Sequence, residues 1–483
     1  MVTSLYQSLC NMETIYADRV GIRYYDEEKQ GVVEVRYSQY AHDLRSFITC
    51  LRSKADDISG RAVAILARNS YQYVIAMYGT VIAGAVAVPL NFSKNWDDIQ
   101  YELGVVEPLC IFHDGEYLER EPALGEAYSS ILAPIDEFTK YEPAQDVTET
   151  DDWAKLAFIM FTSGTTGRSK GVMLSQKNLF TAMPAYLAPF DDVREYTGWN
   201  TDEFCSLSAL PMFHISSMTS LVSWSITGHC INLCNDLKHF YRDLGAMRSD
   251  VMAVVPVLFK SIYKDVMKDR RDRLNGLRLL TCGAAMFDPK MLKDMMDNGF
   301  FIAQMYGLTE TCGDGAWNSS QEERYLTSVG HVDNTCQYKI DGGELCIKGD
   351  PVMLGYYKDP EATAEVIDSE GWFHTGDIAR VEEDGYMYLT GRKKNLIILD
   401  SGENVSPEEL EKKLVGCEDI KECVVKELDK KISAVIFCDA DKQETIRSFI
   451  TEVNRTLPLY KRMTPVFSAE PLPRNAAGKL LRN

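Results

Sequence analysis

Apolar runs that stop abruptly at small residues recur along this chain, and that repetition constrains the fold more than any other feature. Leu156-Ala157-Phe158-Ile159-Met160 leads into FTSGTTGRSKGVMLS, Phe161 to Ser175. Leu277 to Thr281 ends at Cys282-Gly283-Ala284-Ala285, and Phe301 to Met305 ends at Tyr306-Gly307. Arg61 to Leu66 reads as a further strand, and Val251 to Val257 as one that leads into a helix at Leu258–Met267. Strands alternating with helical stretches indicate α/β layers with mostly parallel sheets. The small-residue endings mark the carboxyl edge, where ligands of such sheets bind. At 483 residues the chain exceeds one core. The pattern becomes shorter and β-rich around 342–355 and 384–390, which suggests a small β subdomain. A separable unit opens at the basic run Arg392-Lys393-Lys394. A helix is expected from Glu408, strands at Glu422–Val425 and Ser433–Phe437, and a helix at Lys442–Asn454. The expected layout is a large N-terminal domain over 1–391 and a small, mobile α+β domain over 392–483.

The segment after Met160 suits a polyphosphate. Gly164, Gly167 and Gly171 allow sharp turns that bring N–H groups close to phosphate oxygens. Thr162, Ser163, Thr165 and Thr166 add hydroxyl donors, and Arg168 and Lys170 add positive charge. The glycine and lysine spacing is not that of a Walker A loop. A net charge of −20 excludes general affinity for nucleic acid or an anionic membrane, so basic residues at a phosphate site must act locally.

The thirteen cysteines are scattered and contain no C-x-x-C pair. Cys230 and Cys234 flank apolar residues and suit packing better than metal. Free, mostly buried thiols imply a reducing, cytoplasmic setting. The first twenty residues lack the pattern of a signal peptide. Tyr73 to Leu90 is uncharged, but its Ala, Val and Gly content and closing Pro89 indicate a buried helix to about Ile82, a turn at Gly84 and a short strand, not a transmembrane segment.

Five further segments join the first in a fixed order: Pro211-Met212-Phe213-His214, Tyr306-Gly307-Leu308-Thr309-Glu310-Thr311, Gly371-Trp372-Phe373-His374-Thr375-Gly376-Asp377, Gly391-Arg392-Lys393-Lys394, and Pro473-Arg474-Asn475-Ala476-Ala477-Gly478-Lys479. The set resembles the adenylate-forming (AMP-binding) superfamily, in its acyl-CoA synthetase branch. That resemblance implies activation of a small carboxylic acid by ATP and Mg²⁺, release of pyrophosphate from an acyl-AMP intermediate, and transfer to the thiol of CoA. An alternative within the superfamily loads the phosphopantetheine arm of an acyl carrier protein. A different alternative is a lapsed homologue that only binds nucleotide or acyl groups.

The resemblance also implies roles for individual residues. Thr162, Ser163, Gly164, Thr165, Thr166, Gly167 and Lys170 would hold the β- and γ-phosphates. Gly283, Ala284, Ala285, Tyr306 and Gly307 would frame the adenine. Thr309 would bond the α-phosphate and Glu310 would be the metal ligand. Asp377 would accept from the ribose hydroxyls, with Arg392 on ribose or phosphate. Lys479 would be catalytic, reaching the α-phosphate and the substrate carboxylate, and Lys394 would be the hinge. His214 and the turn at Gly402, Glu403 and Asn404 would border the CoA path. No acid follows Phe213-His214, so the substrate is expected to lack an α-amino group and to be an apolar acyl acid, such as a fatty acid, or an aryl acid. Ser169, Asn395 and Asn475 depart from the usual residues, and Ser217 stands where glycine is common.

Overall fold

The computed structural model describes residues 2–149, 152–162, 168–332, 334–399, 404–428, 430–474 and 480–482, with the side chains of Ile398 and Asn404 outside that description. The chain divides into two compact units, one of residues 1–337 and 347–373, the other of 338–346 and 374–483.

Two large sheets organise the first unit. The seven-stranded sheet runs in the order Gly355–Tyr356, Lys170–Ser175, Leu156–Thr162, Val86–Pro89, Ala62–Leu66, Cys110–His113 and Leu132–Pro134. Its central strands are parallel and wholly buried, which is why they read as unbroken apolar runs rather than alternating ones. The uncharged stretch resolves into a helix, Tyr71–Ile82, with ten buried residues, then the strand Val86–Pro89. No helix among the described residues is long and apolar enough to cross a membrane.

The nine-stranded sheet holds Phe301–Gly307, Leu279–Cys282, Val251–Val254, Cys205–Ser208 and Cys230–Leu233 as a parallel block. Val20–Asp26 extends the block in parallel beside Cys230–Leu233, and antiparallel strands follow at both ends. Pro256 ends the Val251 strand three residues earlier than expected, because proline suits the first turn of the helix Pro256–Met267.

Most of a four-stranded sheet, ordered Cys336–Asp341, Glu344–Gly349, Phe373–Val381 and Met387–Arg392, belongs to the second unit. A three-stranded sheet, Glu422–Leu428, Lys431–Phe437 and Thr464–Ser468, packs with the helices Pro407–Leu414 and Gln443–Arg455 around Val425, Ile436, Leu410 and Ile446. The compact division falls before the hairpin 374–392, not after residue 391. Lys412 Nζ donates to the Leu389 carbonyl at 2.7 Å and Ser406 Oγ to that of Thr390 at 2.5 Å, tying the hairpin to the helix that follows. Asn404-Val405, expected in a turn, pairs as a short strand with Ile397-Ile398.

Candidate active site

The phosphate-loop candidate is the connection between two antiparallel strands, with Thr162 and Lys170 facing each other at its base. Ser163, Gly164, Thr165, Thr166 and Gly167 lie outside the described residues. Gly171 is required beside Lys170: a Cβ there would come within 2.8 Å of Ile159 Cγ2. The short strand Gly355–Tyr356 lies along the Lys170 strand, its Tyr356 opposite Val172. That pairing puts the Tyr356 ring under Lys170, whose Nζ is 5.0 Å from the ring centroid. Tyr356 Oη donates to Glu310 Oε1 at 2.9 Å, and the Met353 N–H donates to the Glu310 carbonyl at 2.7 Å. Burial, then the Glu310 charge, push the Tyr356 phenol well above its ordinary value, so it remains a donor. Lys170 and Glu310 are 140 residues apart in sequence, and one tyrosine links them.

Thr309, Glu310 and Thr311 form a single tight turn after the strand Phe301–Gly307. Glycine is obligatory on both sides of that turn. A Cβ on Gly307 would sit 1.9 Å from the Gly313 carbonyl oxygen, and one on Gly315 would sit 2.8 Å from that of Tyr306. Thr311 Oγ1 closes the turn by donating to the Asp314 carbonyl. Tyr306 pairs with Ala316, and both line a recess with Tyr186, Met305, Gly313 and Trp317.

Gly283, Ala284 and Ala285 follow the strand next to Tyr306's, at its carboxyl end. Ala284 is exposed and held at φ +65°, a conformation that costs a non-glycine residue energy and is concentrated at functional sites. These residues thus reach the same sheet edge as Tyr306 and Gly307.

Around Pro211–His214, Asn69 accepts from the Met212 N–H at 2.9 Å and donates to the Leu210 carbonyl at 2.9 Å, which fixes the segment. His214 precedes the helix Ile215–Thr227. The residue is exposed as a whole, yet burial of its ring and the nearby Lys94 lower its pKa, which favours the neutral imidazole at pH 7. Ser217 is buried and its Oγ finds no hydrogen-bond partner among the described residues.

Lys94 and Glu102 are the main additions to the expected site. Ser169, at the end of the phosphate segment, donates from Oγ to Oε1 of the fully buried Glu102 at 2.6 Å, and Lys94 forms an ion pair with the same oxygen. Burial raises the Glu102 carboxyl, only partly offset by Lys94 and Ser169. A lone loop lysine and a lone glutamate on an ordinary helix carry no local sequence signal, so only the fold reveals them.

In the second unit, Asp377 faces Arg392 across a strand pair and is buried. Arg392 Nε meets Asp377 Oδ1 at 2.8 Å, and its Nη1 donates to the Thr375 carbonyl at 3.0 Å. Beneath them lies Glu344, which accepts from the Gly376 N–H at 3.0 Å and pairs with Lys393 at 2.7 Å and His374 at 3.3 Å. Burial raises the Glu344 carboxyl, but Lys393, His374 and the Gly376 N–H outweigh it and hold its pKa low. Glu344, Cys346 and His374 bring three potential metal ligands within 4.8 Å of one another, and the Lys393 ammonium on Glu344 makes them a charge-satisfied network instead. Lys394 is exposed in the turn Lys393–Asn395, and Asn395 donates to Glu408 Oε1 at 2.5 Å. Lys479, Gly402 and Glu403 lie outside the described residues, as does the Asn404 side chain. Arg474 and Leu480 pair with each other, and Arg474 binds Glu422 at 2.7 Å.

Residues 16–357 match the AMP-binding enzyme family over most of the chain. The chain belongs to that family. Among its relatives, the long-chain-fatty-acid–CoA ligase FadD13 of Mycobacterium tuberculosis is 29% identical over 88% of this chain and 87% of its own. The 2-succinylbenzoate–CoA ligase of Bacillus licheniformis is 28% identical over 94% and 95%. The AMP-binding fold recurs in the O-succinylbenzoate Coenzyme A synthetase MenE of Bacillus subtilis in complex with AMP, at a TM-score of 0.82, 23% identity and 98% and 97% coverage. ATP-bound MatB from Rhodopseudomonas palustris shares the fold at a TM-score of 0.84, 22% identity and 99% and 97% coverage.

Proposed function

We propose that this AMP-binding enzyme is an acid–thiol ligase that joins a carboxylic acid to the α-phosphate of ATP, releases pyrophosphate, and passes the acyl group from acyl-AMP to the thiol of CoA. The Lys170–Tyr356–Glu310 link carries the reading. It places a cation at the phosphate segment, a phenol donor and a carboxylate in one buried-edge cluster, as a polyphosphate with a hard cation requires. The Glu310 carboxylate, one oxygen of which accepts from Tyr356, fits a magnesium ligand. Magnesium, when bound, supplies positive charge to phosphate oxygens. Lys170 adds charge at the same phosphates, Thr309 donates at the α-phosphate, and Tyr306 with Gly283–Ala285 receives the adenine.

Asp377 accepts from the ribose, with Arg392 paired to the same carboxylate. Lys479 serves as the cation at the reacting carboxylate, and Lys394 as the pivot of a mobile 392–483 domain. Gly402, Glu403, Asn404 and His214 border the CoA path. As a neutral imidazole at pH 7, His214 adds no charge beside the thiol. The curated relatives named above are CoA ligases, which favours CoA over a carrier protein as acceptor. Apolar neighbours such as Phe213, Ile215 and Met218 favour an apolar acyl or aryl acid. Thirteen free thiols fit a reducing, cytoplasmic compartment.

The test is pyrophosphate release over a panel of fatty and aryl acids, then thioester formation with CoA or a holo-carrier protein. Release that depends on acid and magnesium, with thioester on CoA, is expected. Silence across the whole panel would sink the ligase reading in favour of a lapsed binding module, and thioester only on the carrier would move the acceptor.

A further inference from the structure

At the amino ends of two neighbouring strands, two cysteines meet. Cys205 and Cys230 are the first residues of neighbouring parallel strands and stand directly opposite each other. Facing residues on paired strands project to the same side, with backbones about 4.8 Å apart. That spacing lies within the range a disulfide spans, roughly 4.4–6.8 Å between Cα atoms. Arg23, on the strand beyond Cys230, reaches both sulfurs: its Nη1 lies 3.3 Å from Cys230 Sγ and 3.6 Å from Cys205 Sγ. Its Nε is held by Glu34 at 2.7 Å, so the guanidinium is fixed over the pair.

A guanidinium placed over two neighbouring thiols favours the thiolate form at one of them. The Cys230 thiol, then Arg23, lower the Cys205 pKa against burial and the Asp250 charge, while the same pairing and burial push Cys230 up. Asp250 also accepts from the Cys205 N–H at 3.1 Å, and Arg248 and Arg278 pair with its carboxylate. Cys205 is partly open to solvent and Cys230 is buried. By contrast, burial raises Cys50, Cys110, Cys282, Cys312 and Cys423, which suppresses their thiolates. The pair sits at the amino ends of its strands, whereas Gly283–Ala285 follow a strand's carboxyl end.

We propose that Cys205 and Cys230 form a peroxide-reactive dithiol, with Cys205 as the attacking sulfur, Cys230 as the resolving one and Arg23 as the group that positions and activates them. The Cys205 thiolate attacks one oxygen of hydrogen peroxide. The O–O bond breaks, hydroxide leaves and takes up a proton as water, and sulfur is oxidised to the sulfenic acid. The Cys230 thiol then attacks that sulfur, the S–O bond breaks, a second water leaves, and a disulfide remains. Two thiols are oxidised and one peroxide is reduced to two waters.

The test treats the full-length protein with graded hydrogen peroxide, alkylates the remaining thiols after denaturation and maps the peptides by mass spectrometry. The Cys205–Cys230 disulfide is expected before any other cysteine is lost, and dithiothreitol should reverse it. In Cys230→Ser, dimedone should trap a sulfenic acid on Cys205. In Arg23→Gln, the wild-type disulfide should form more slowly, by on the order of tenfold, as thiolate character is lost. Oxidation of another cysteine ahead of the pair, or a pair that stays fully alkylatable when peroxide has consumed other thiols, overturns the proposal. An Arg23→Gln protein oxidised at the wild-type rate overturns the part assigned to Arg23.

Discussion

Tyr356 does at the residue scale what no motif specifies: it joins a lysine and a glutamate that belong to separate sequence segments. Its hydroxyl donates to an acidic partner, an interaction worth about 1.5–3 kcal/mol when one group is charged. Tyr356→Phe keeps the ring under Lys170 and removes only that bond. Pyrophosphate release should fall by on the order of tenfold, with the magnesium dependence shifted to higher concentration. Unchanged rate and magnesium dependence would show that Glu310 needs no such support. Asp377→Ala removes the partner of Arg392 and the proposed ribose acceptor together. A marked rise in the KM for ATP is expected, and an ATP dependence equal to wild type would place the nucleotide elsewhere.

At the scale of elements, the phosphate hairpin is anchored to a helix. Trp96–Val106 supplies Glu102, the loop before it supplies Lys94, and Ser169 binds that buried pair from the hairpin side. Breaking one side of a buried ion pair costs about 3–5 kcal/mol, because the remaining charge stays desolvated. Lys94→Met should therefore lower stability by roughly that amount at pH 7, read by urea denaturation. The pH dependence has a definite sign. Glu102's folded pKa is already raised by burial, and losing Lys94 raises it further. A raised carboxyl leaves stability intact below the ordinary carboxylate range and loses it as pH rises through the folded value. The penalty of Lys94→Met should shrink as pH is lowered toward that range. A penalty constant with pH would mean that the lysine acts through packing alone. Ser169→Ala, which removes only a neutral donor, should cost much less.

For the whole molecule, the testable question is whether the pivot lies at Lys394. Proline fixes φ near −65° and removes an N–H donor, so Lys394→Pro should favour one backbone state. The turn is exposed and the cores on either side are independent of it, so the melting temperature should barely change. Pyrophosphate exchange should persist at a fair fraction of wild type while thioester formation collapses, as hinge substitutions alter catalytic steps without touching the reacting groups. Equal loss of both half-reactions, or loss of neither, would remove Lys394 from that role.

The sequence by itself determined the α/β layering, because buried parallel strands leave apolar runs and their ends leave small residues at readable places. Leu279–Cys282 and Phe301–Gly307 lie within a residue or two of the expected strands, with Gly283–Ala285 and Gly307 at their ends. The segments Thr309–Thr311, Thr375–Asp377 and Gly391–Lys394 were legible as an ordered set of motifs through the family resemblance; the first forms a tight turn and the other two lie mostly in paired strands. What only the tertiary structure decided is every pairing across long separation. Tyr356 beneath Lys170 follows from a two-residue edge strand, too short to show a period. Asn69 at Met212, and Glu102 with Lys94 at Ser169, depend on packing between elements that share no local pattern. The cysteines state the principle most simply. Cys234, four residues on, is the nearest cysteine to Cys230 along the chain, whereas strand register sets Cys230 beside Cys205, because neighbours in a sheet are chosen by how helices and strands bury their faces and not by distance along the chain.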